Sequence, residues 1–343
     1  MSNKTIVLTG IRSNGPLTLG NYLGAILPLI RLQKKRQYQV NLFLPDLHSI
    51  ISSVEYNELY NNTLSTLRYF VAAGLDLNDQ STFIYRQSYI PAHSELTWIL
   101  DCFSYYGELK RMTQFKEKST HDDNISVGIF NYPALMASDI LLYDAEFIPV
   151  GEDQRQHLEL TRDIALRINN QFGDLFTIPK TWKEQLQFEN LQNGIRIRSL
   201  KHPENKMSKS ISDPSGTILL MDDVNTAKKK VYEATTDSYN KIDFNFDTQP
   251  GISNLLQILT LIQDRPLNET ILEWRGKSNY GELKQCVANQ IEILLNEVGN
   301  KFNSITDDSL TETLLRGESA MNVVANQKLY KVQQKVGLRP ISS

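Results

Sequence analysis

Apolar residues in the first half of the chain concentrate in short runs separated by helix-length stretches of mixed character. Residues 5–8, 40–44 and 81–85 are such runs, and each reads as a buried strand. Between them, periodic apolar positions predict a helix opening near Gly20 or Asn21 and running to about Arg36. A second helix spans residues 55–73, with Gly74 as its stop. Residues 10–15 form the loop between the first strand and the first helix. Strand and helix therefore alternate, which predicts a parallel sheet with helices on both faces.

The stretch from Pro91 to about Asn124 is helical and polar and interrupts this alternation, so it reads as an insertion between two halves of one unit. The pattern resumes with a strand at Phe147-Ile148-Pro149-Val150 and a helix over about 154–169. After about Thr217 the period changes, and from Asp223 onward strand signals nearly vanish. Leu283, Val287, Ile291, Leu294, Val298, Phe302 and Ile305 recur at spacings of three and four, and Leu329, Val332 and Val336 repeat the pattern. The expected fold is α/β: a Rossmann-like, doubly wound parallel sheet with an inserted helical segment, followed by a C-terminal α-helical bundle. The expected domains are 1–216, with the insertion at about 91–124, and 217–343.

Bulk properties mainly exclude. The 343 residues suggest two domains at a prior of ~150 residues each. Apolar residues make up 41% and charged residues 22%, which permits a sizeable core and argues against disorder. A net charge of -3 excludes a globally basic nucleic-acid coat and confines any RNA contact to local patches such as Lys228-Lys229-Lys230. Two distant cysteines, Cys102 and Cys286, make neither a disulfide framework nor a zinc site. No leader pattern opens the sequence, and no run approaches the ~20 apolar residues of a membrane span. The expectation is a soluble, cytoplasmic protein.

Three constellations carry chemistry. Lys206-Met207-Ser208-Lys209-Ser210 lies after the alternating region, between His202-Pro203 and Asp213-Pro214. Two ammonium groups at that spacing can neutralise charge building on a leaving pyrophosphate. The first strand–loop–helix unit reads Gly10-Ile11-Arg12-Ser13-Asn14-Gly15-Pro16-Leu17-Thr18-Leu19-Gly20-Asn21. Its glycines allow close backbone approach, and a helix N-terminus favours an anion. Third, Tyr132, Met136, Asp139 and Ile140 share neighbouring helical turns, giving an apolar slot with one carboxylate that suits an indole. Asp46-x-His48 ends the second strand at the carboxyl edge of the sheet, where ligands bind in such folds.

The lysine string resembles the KMSKS signature of class I aminoacyl-tRNA synthetases, and Thr18-x-Gly20-Asn21 looks like their His-Ile-Gly-His motif in the form of the bacterial tryptophan branch. The run 132–140 is similar to the tryptophan-binding helix of that branch, while Gly151-Glu152-Asp153-Gln154 and the segment 107–118 also match. The similarity runs from about Lys4 to the C-terminus and is densest through Ser210. One departure is Arg12-Ser13-Asn14, where the bacterial tryptophan enzymes usually carry Gln-Pro-Ser.

What the resemblance implies is an ATP-dependent ligase that makes tryptophanyl adenylate and pyrophosphate, then transfers tryptophan to the terminal adenosine of its tRNA. It implies Lys206, Lys209, Thr18 and Asn21 as catalytic residues. ATP contacts would come from Arg12, Ser13, Asn14, Gly20, Asn21, Gly151, Glu152, Asp153 and Ile197, and from residues 206–210, that is Lys206, Met207, Ser208, Lys209 and Ser210. Tryptophan contacts would come from Asp139, Tyr132, Met136, Gln114, Gln154, Ile140, Leu8, Gly10 and His48, with Asp139 accepting the indole N–H. Mg²⁺ would arrive on the ATP phosphates with no protein-held metal, and the partners would be tryptophan tRNA and a second copy of the chain, with no membrane. The alternatives are a tyrosine–tRNA ligase, a small-cofactor nucleotidyltransferase and a non-catalytic RNA-binding paralogue.

Overall fold

The computed structural model describes residues 4–10, 16–51, 55–119, 125–191, 196–207 and 213–340. Strands β1 (Ile6–Gly10), β2 (Gln39–Leu44) and β3 (Thr82–Arg86) form a parallel sheet in the order β1-β2-β3. Val7 pairs with Val40 and Val40 with Thr82. These strands fall where the short apolar-rich runs predict them, because strands covered on both faces are apolar on both.

The strand expected at residues 147–150 is reduced to a parallel bridge between Val7 and Phe147. Leu8 donates its N–H to the Phe147 carbonyl at 2.9 Å, extending the sheet one position beyond β1. Pro149 has no N–H to donate, so the ladder cannot continue.

The helix after β1 begins at Leu19, with Thr18 as its cap, and passes through a π-helical turn at Tyr22–Ile26 into α1 (Leu27–Lys35). Helix α2 (Leu59–Ala72) connects β2 to β3, and the chain turns at Gly74 with φ +113°. The region expected as an insertion is helical: α3 (Ala92–Asp101) followed by short helices Tyr106–Lys110 and Thr113–Ser119. Helices α4 (Val127–Leu141) and α5 (Arg155–Phe172) return the chain to the sheet, and α4 packs on both α3 and α5.

The helical part contains α6 (Val224–Tyr232), α7 (Pro250–Ile262), α8 (Tyr280–Ser304) and α9 (Asp307–Lys335). The periodic face of α8 is buried against α6, α7 and α2. Sequence reading places 329–336 in this bundle, but α9 instead runs back across the sheet, packing on β3, α3 and α2. Met321, Ala325, Leu329 and Val332 join the core that holds Leu96 and Leu100 of α3. Helical periodicity shows that α9 buries one face; the partner is settled by β3, the end strand of the described sheet, whose outer backbone groups must be covered. The carbonyl of Ile84 lies against Gly317, where a Cβ would sit 1.9 Å from it.

The lysine triplet is not a free basic patch. Lys228 pairs with Glu292 at 2.6 Å, and Lys230 meets Asp222 at 2.7 Å and the Thr217 carbonyl at 2.8 Å. Lys229 alone of the three is largely exposed. No helix among the described residues is long and apolar enough to cross a membrane.

Candidate active site

Two cavities open beside one another at the carboxyl ends of the strands. The larger, ≈ 700 Å³, has Val7 and Thr9 of β1 as its floor. Gly20 and Asn21 form one wall, Gly151, Glu152 and Asp153 another, and Ile197 and Lys206 a third. Its walls are tied together by backbone: Leu19 donates to the Ile218 carbonyl at 2.8 Å, Leu220 to Leu17 at 2.9 Å, and Met207 to Ile197 at 3.0 Å. The segment bearing Lys206 passes the start of the first helix, with the Met207 carbonyl against Gly20. Glycine suits this approach at position 20, since a Cβ there would lie 3.1 Å from the Met207 carbonyl oxygen, tighter than most Cβ contacts.

Thr18 and Asn21 form a reciprocal cap. The Asn21 N–H donates to Thr18 Oγ1 at 3.1 Å, and the Thr18 N–H donates to Asn21 Oδ1 at 3.0 Å. Thr18 is fully buried and does not line the cleft, so its hydroxyl is spent on satisfying the helix start; Asn21 does line it. Met207 likewise turns its side chain into the core. Arg196 joins Lys206 on the cleft wall, a second cation that motif reading passed over because it lies outside the lysine string. Arg12, Ser13, Asn14, Ser208, Lys209 and Ser210 lie outside the described residues.

The smaller cavity, ≈ 360 Å³, gathers all nine residues that the sequence reading sets aside for the amino acid. Leu8 and Gly10 come from β1, His48 from the turn after β2, and Gln114 and Gln154 from the entrance. Tyr132, Met136, Asp139 and Ile140 form one face of α4. Phe43 and Pro45 complete the apolar wall; the Phe43 ring passes Gly10 so closely that a Cβ would lie 2.8 Å from it. Thr9, Val150 and Asp153 line both cavities, so the two adjoin there.

The polar floor of this pocket is Asp139, 1% exposed. Gln87 Nε2 donates to its Oδ1 at 2.7 Å, His93 Nδ1 stands 2.6 Å from Oδ1, and His48 Nε2 stands 2.9 Å from Oδ2. His93 Nε2 in turn lies 2.9 Å from the Tyr143 hydroxyl. His93 Nδ1–H donates to Asp139 Oδ1. Burial pushes the Asp139 carboxyl up, but the hydrogen bonds and charge of His48 and His93 outweigh it and hold it below the usual carboxylate range. Burial also pushes the Tyr143 hydroxyl up, so it stays protonated. Higher in the pocket, the Tyr132 hydroxyl donates to Gln114 Oε1 at 2.7 Å and lies 2.7 Å from His157 Nε2.

Gln87 and His93 are absent from the sequence reading. Their signal was position: both follow β3 directly, at the carboxyl edge that β1 and β2 also present. Among the described residues no cluster of three His, Cys, Asp or Glu is arranged to hold a metal ion.

The family described as tRNA synthetases class I (W and Y) matches residues 1–296. A tryptophan–tRNA ligase of Clostridium perfringens is 42% identical over 340 residues, 98% of either chain, and one of Caldanaerobacter subterraneus is 40% identical over 332 residues, 97% of this chain and 98% of that one. The fold superimposes on the tryptophanyl-tRNA synthetase of Mycoplasma pneumoniae with a TM-score of 0.84 at 37% identity, covering 98% of both chains. It superimposes on the Campylobacter jejuni enzyme complexed with ADP and tryptophan with a TM-score of 0.77 at 31% identity, covering 97% of this chain and all of that one. The chain therefore belongs to the class I tRNA synthetases of the tryptophan and tyrosine type, in the tryptophan–tRNA ligase branch.

Proposed function

We propose that the two adjoining cavities divide the ligase reaction between them, with ATP in the larger cleft and tryptophan in the smaller pocket. Both volumes fall within the roughly 300–1,000 Å³ common to small-molecule sites. The indole lies among Phe43, Met136 and Ile140 and donates its N–H to Asp139, which is kept ionised and therefore acceptor-only. The tryptophan carboxylate reaches the shared wall at Thr9 and Asp153 and attacks the α-phosphate of ATP; pyrophosphate leaves and tryptophanyl adenylate remains. The terminal ribose hydroxyl of the tRNA then attacks the activated carbonyl and AMP leaves.

No side chain has to become covalently attached. The enzyme contributes positioning and charge: Lys206 and Arg196 line the phosphate cleft, and Lys209 is assigned the same task, opposing the negative charge that grows as the bond to pyrophosphate breaks. Gly20 and Asn21 shape the phosphate wall, with Thr18 as the cap that positions them. Mg²⁺ enters as part of the nucleotide substrate. We assign residues 1–216 to catalysis and 217–343 to the region that meets the anticodon, in a cytoplasmic homodimer.

What supports this reading above all is the shared wall, which brings an apolar pocket floored by the buried Asp139 carboxylate against a cation-lined cleft. The test is ATP–pyrophosphate exchange with each of the twenty amino acids, for the parent enzyme and Asp139→Ala. Exchange should depend on tryptophan, and Asp139→Ala should weaken tryptophan binding and erode discrimination against tyrosine and phenylalanine, because a polar pocket rejects wrong ligands by leaving its own groups unpaired. An Asp139→Ala enzyme with undiminished preference for tryptophan would place the indole elsewhere.

A further inference from the structure

The turn carrying Gln87 is gripped on both sides by the C-terminal helix α9. Before it, Arg86 makes a two-pronged pair with Glu318: Nε donates to Oε1 at 2.6 Å and Nη2 to Oε2 at 3.0 Å. The Arg86 backbone N–H also points at Glu318 Oε1, at 3.3 Å. Both side chains are almost fully buried, and the guanidinium lies 3.4 Å from the centre of the Tyr89 ring. After Gln87, Asn322 Nδ2 donates to the Tyr89 carbonyl at 3.1 Å. One helical turn of α9 therefore holds the backbone on both sides of the one residue whose amide donates to Asp139 and whose Oε1 also accepts from the His48 N–H at 3.4 Å.

We infer that α9 tunes tryptophan binding, with Glu318 a positioning residue that acts on Asp139 through Arg86 and Gln87. The inference rests on the proposed role of Asp139 at the indole. Physically, Oδ1 of Asp139 accepts two of the three donors described, so its direction in the pocket depends on where Gln87 stands. Gln87 has no freedom of its own, being fully buried in a short turn. Its place is set by Arg86 and Tyr89, and those are set by Glu318 and Asn322. A buried bidentate arginine–carboxylate pair gives directional control that an apolar contact of equal area would not.

The experiment uses the full chain and measures KM for tryptophan, KM for ATP and kcat in pyrophosphate exchange, with thermal melting alongside. Glu318→Ala should raise KM for tryptophan roughly three- to tenfold, the size of a coupling between neighbours in one network. KM for ATP should stay within about twofold, because the larger cleft has no wall from α9. Glu318→Gln keeps an acceptor for Arg86 and should recover most of the loss. If Glu318→Ala fails to fold, the cycle of Glu318→Gln, Gln87→Leu and the double variant decides. Effects on KM for tryptophan should be less than additive if Glu318 acts through Gln87; additive effects overturn the inference. So does a fall in melting temperature with KM for tryptophan unchanged. Asp139→Ala separates the two ideas: if it leaves tryptophan binding intact, the indole placement fails, whereas if it weakens binding and the Glu318 variants do not, only the role of α9 fails.

Discussion

Gly317→Ala adds one methyl group where α9 crosses β3, and the geometry dictates its sign. In an exposed helix interior this exchange would stabilise by about 1 kcal/mol, since alanine restricts the unfolded chain and favours helix. Here the new Cβ would stand 1.9 Å from the Ile84 carbonyl oxygen and 2.8 Å from its carbon, against 3.4 Å where ordinary contact begins. The obstacle is strand backbone, which has no rotamer to change, so the helix must retreat by more than an ångström. Overpacking of this kind costs about 1–3 kcal/mol. The retreat also stretches the buried Arg86–Glu318 hydrogen bonds, each worth about 1.5–3 kcal/mol when a charged group is involved. After subtracting the gain in helix propensity, a net loss on the order of 2–4 kcal/mol remains. At about 2 °C per kcal/mol for a chain this large, melting should fall by roughly 4–8 °C. Gly299→Ala on α8 is the control, because nothing lies within 4 Å of its Cβ position. That variant should melt at or slightly above the parent. Differential scanning calorimetry of both proteins decides the matter, and a Gly317→Ala protein as stable as Gly299→Ala would refute the packing of α9 on β3.

Two further outcomes follow from the site. Lys206→Ala and Lys209→Ala should each slow adenylate formation on the order of a hundredfold, the usual loss for one contact to developing charge, while tryptophan affinity changes little; rapid-quench rates within a few-fold of the parent would remove the lysine loop from the chemistry. Because the folded Asp139 carboxyl is held below its unfolded value of about 3.9, its contribution to stability is fully present above that pH and is lost only as pH falls through the lowered value. The melting difference between the parent and Asp139→Asn should therefore shrink as pH falls below the ordinary carboxylate value of about 3.9, and a difference already lost at about pH 5 would show that the carboxylate is not held low.

Much of this architecture was legible in one dimension because its signals are local. Short apolar-rich runs marked β1, β2 and β3, since a strand buried on both faces is apolar on both. The spacing of Tyr132, Met136, Asp139 and Ile140 placed them on one face of α4 whatever that face would meet. Glycine at position 20 likewise marked a close backbone approach, which the structure places against the Met207 carbonyl.

What the tertiary structure alone decided are contacts between distant parts of the chain. Asp139 is visible in the sequence as an acid on an apolar helix face, but its donors Gln87 and His93 lie 52 and 46 residues earlier, and only the meeting of β3, α3 and α4 brings them together. Lys228 and Lys230 read as a basic patch until their carboxylate partners are seen. Phe147 keeps a single bridge because Pro149 removes the next donor. The destination of α9 is the clearest case. Its period states that one face is buried, yet the choice of surface depends on a strand edge in need of cover, a carbonyl at Ile84, and a glycine and a glutamate placed to meet them across more than two hundred residues. A hydrophobic pattern specifies how much surface a helix must bury, whereas the identity of the buried partner is a property of the assembled fold.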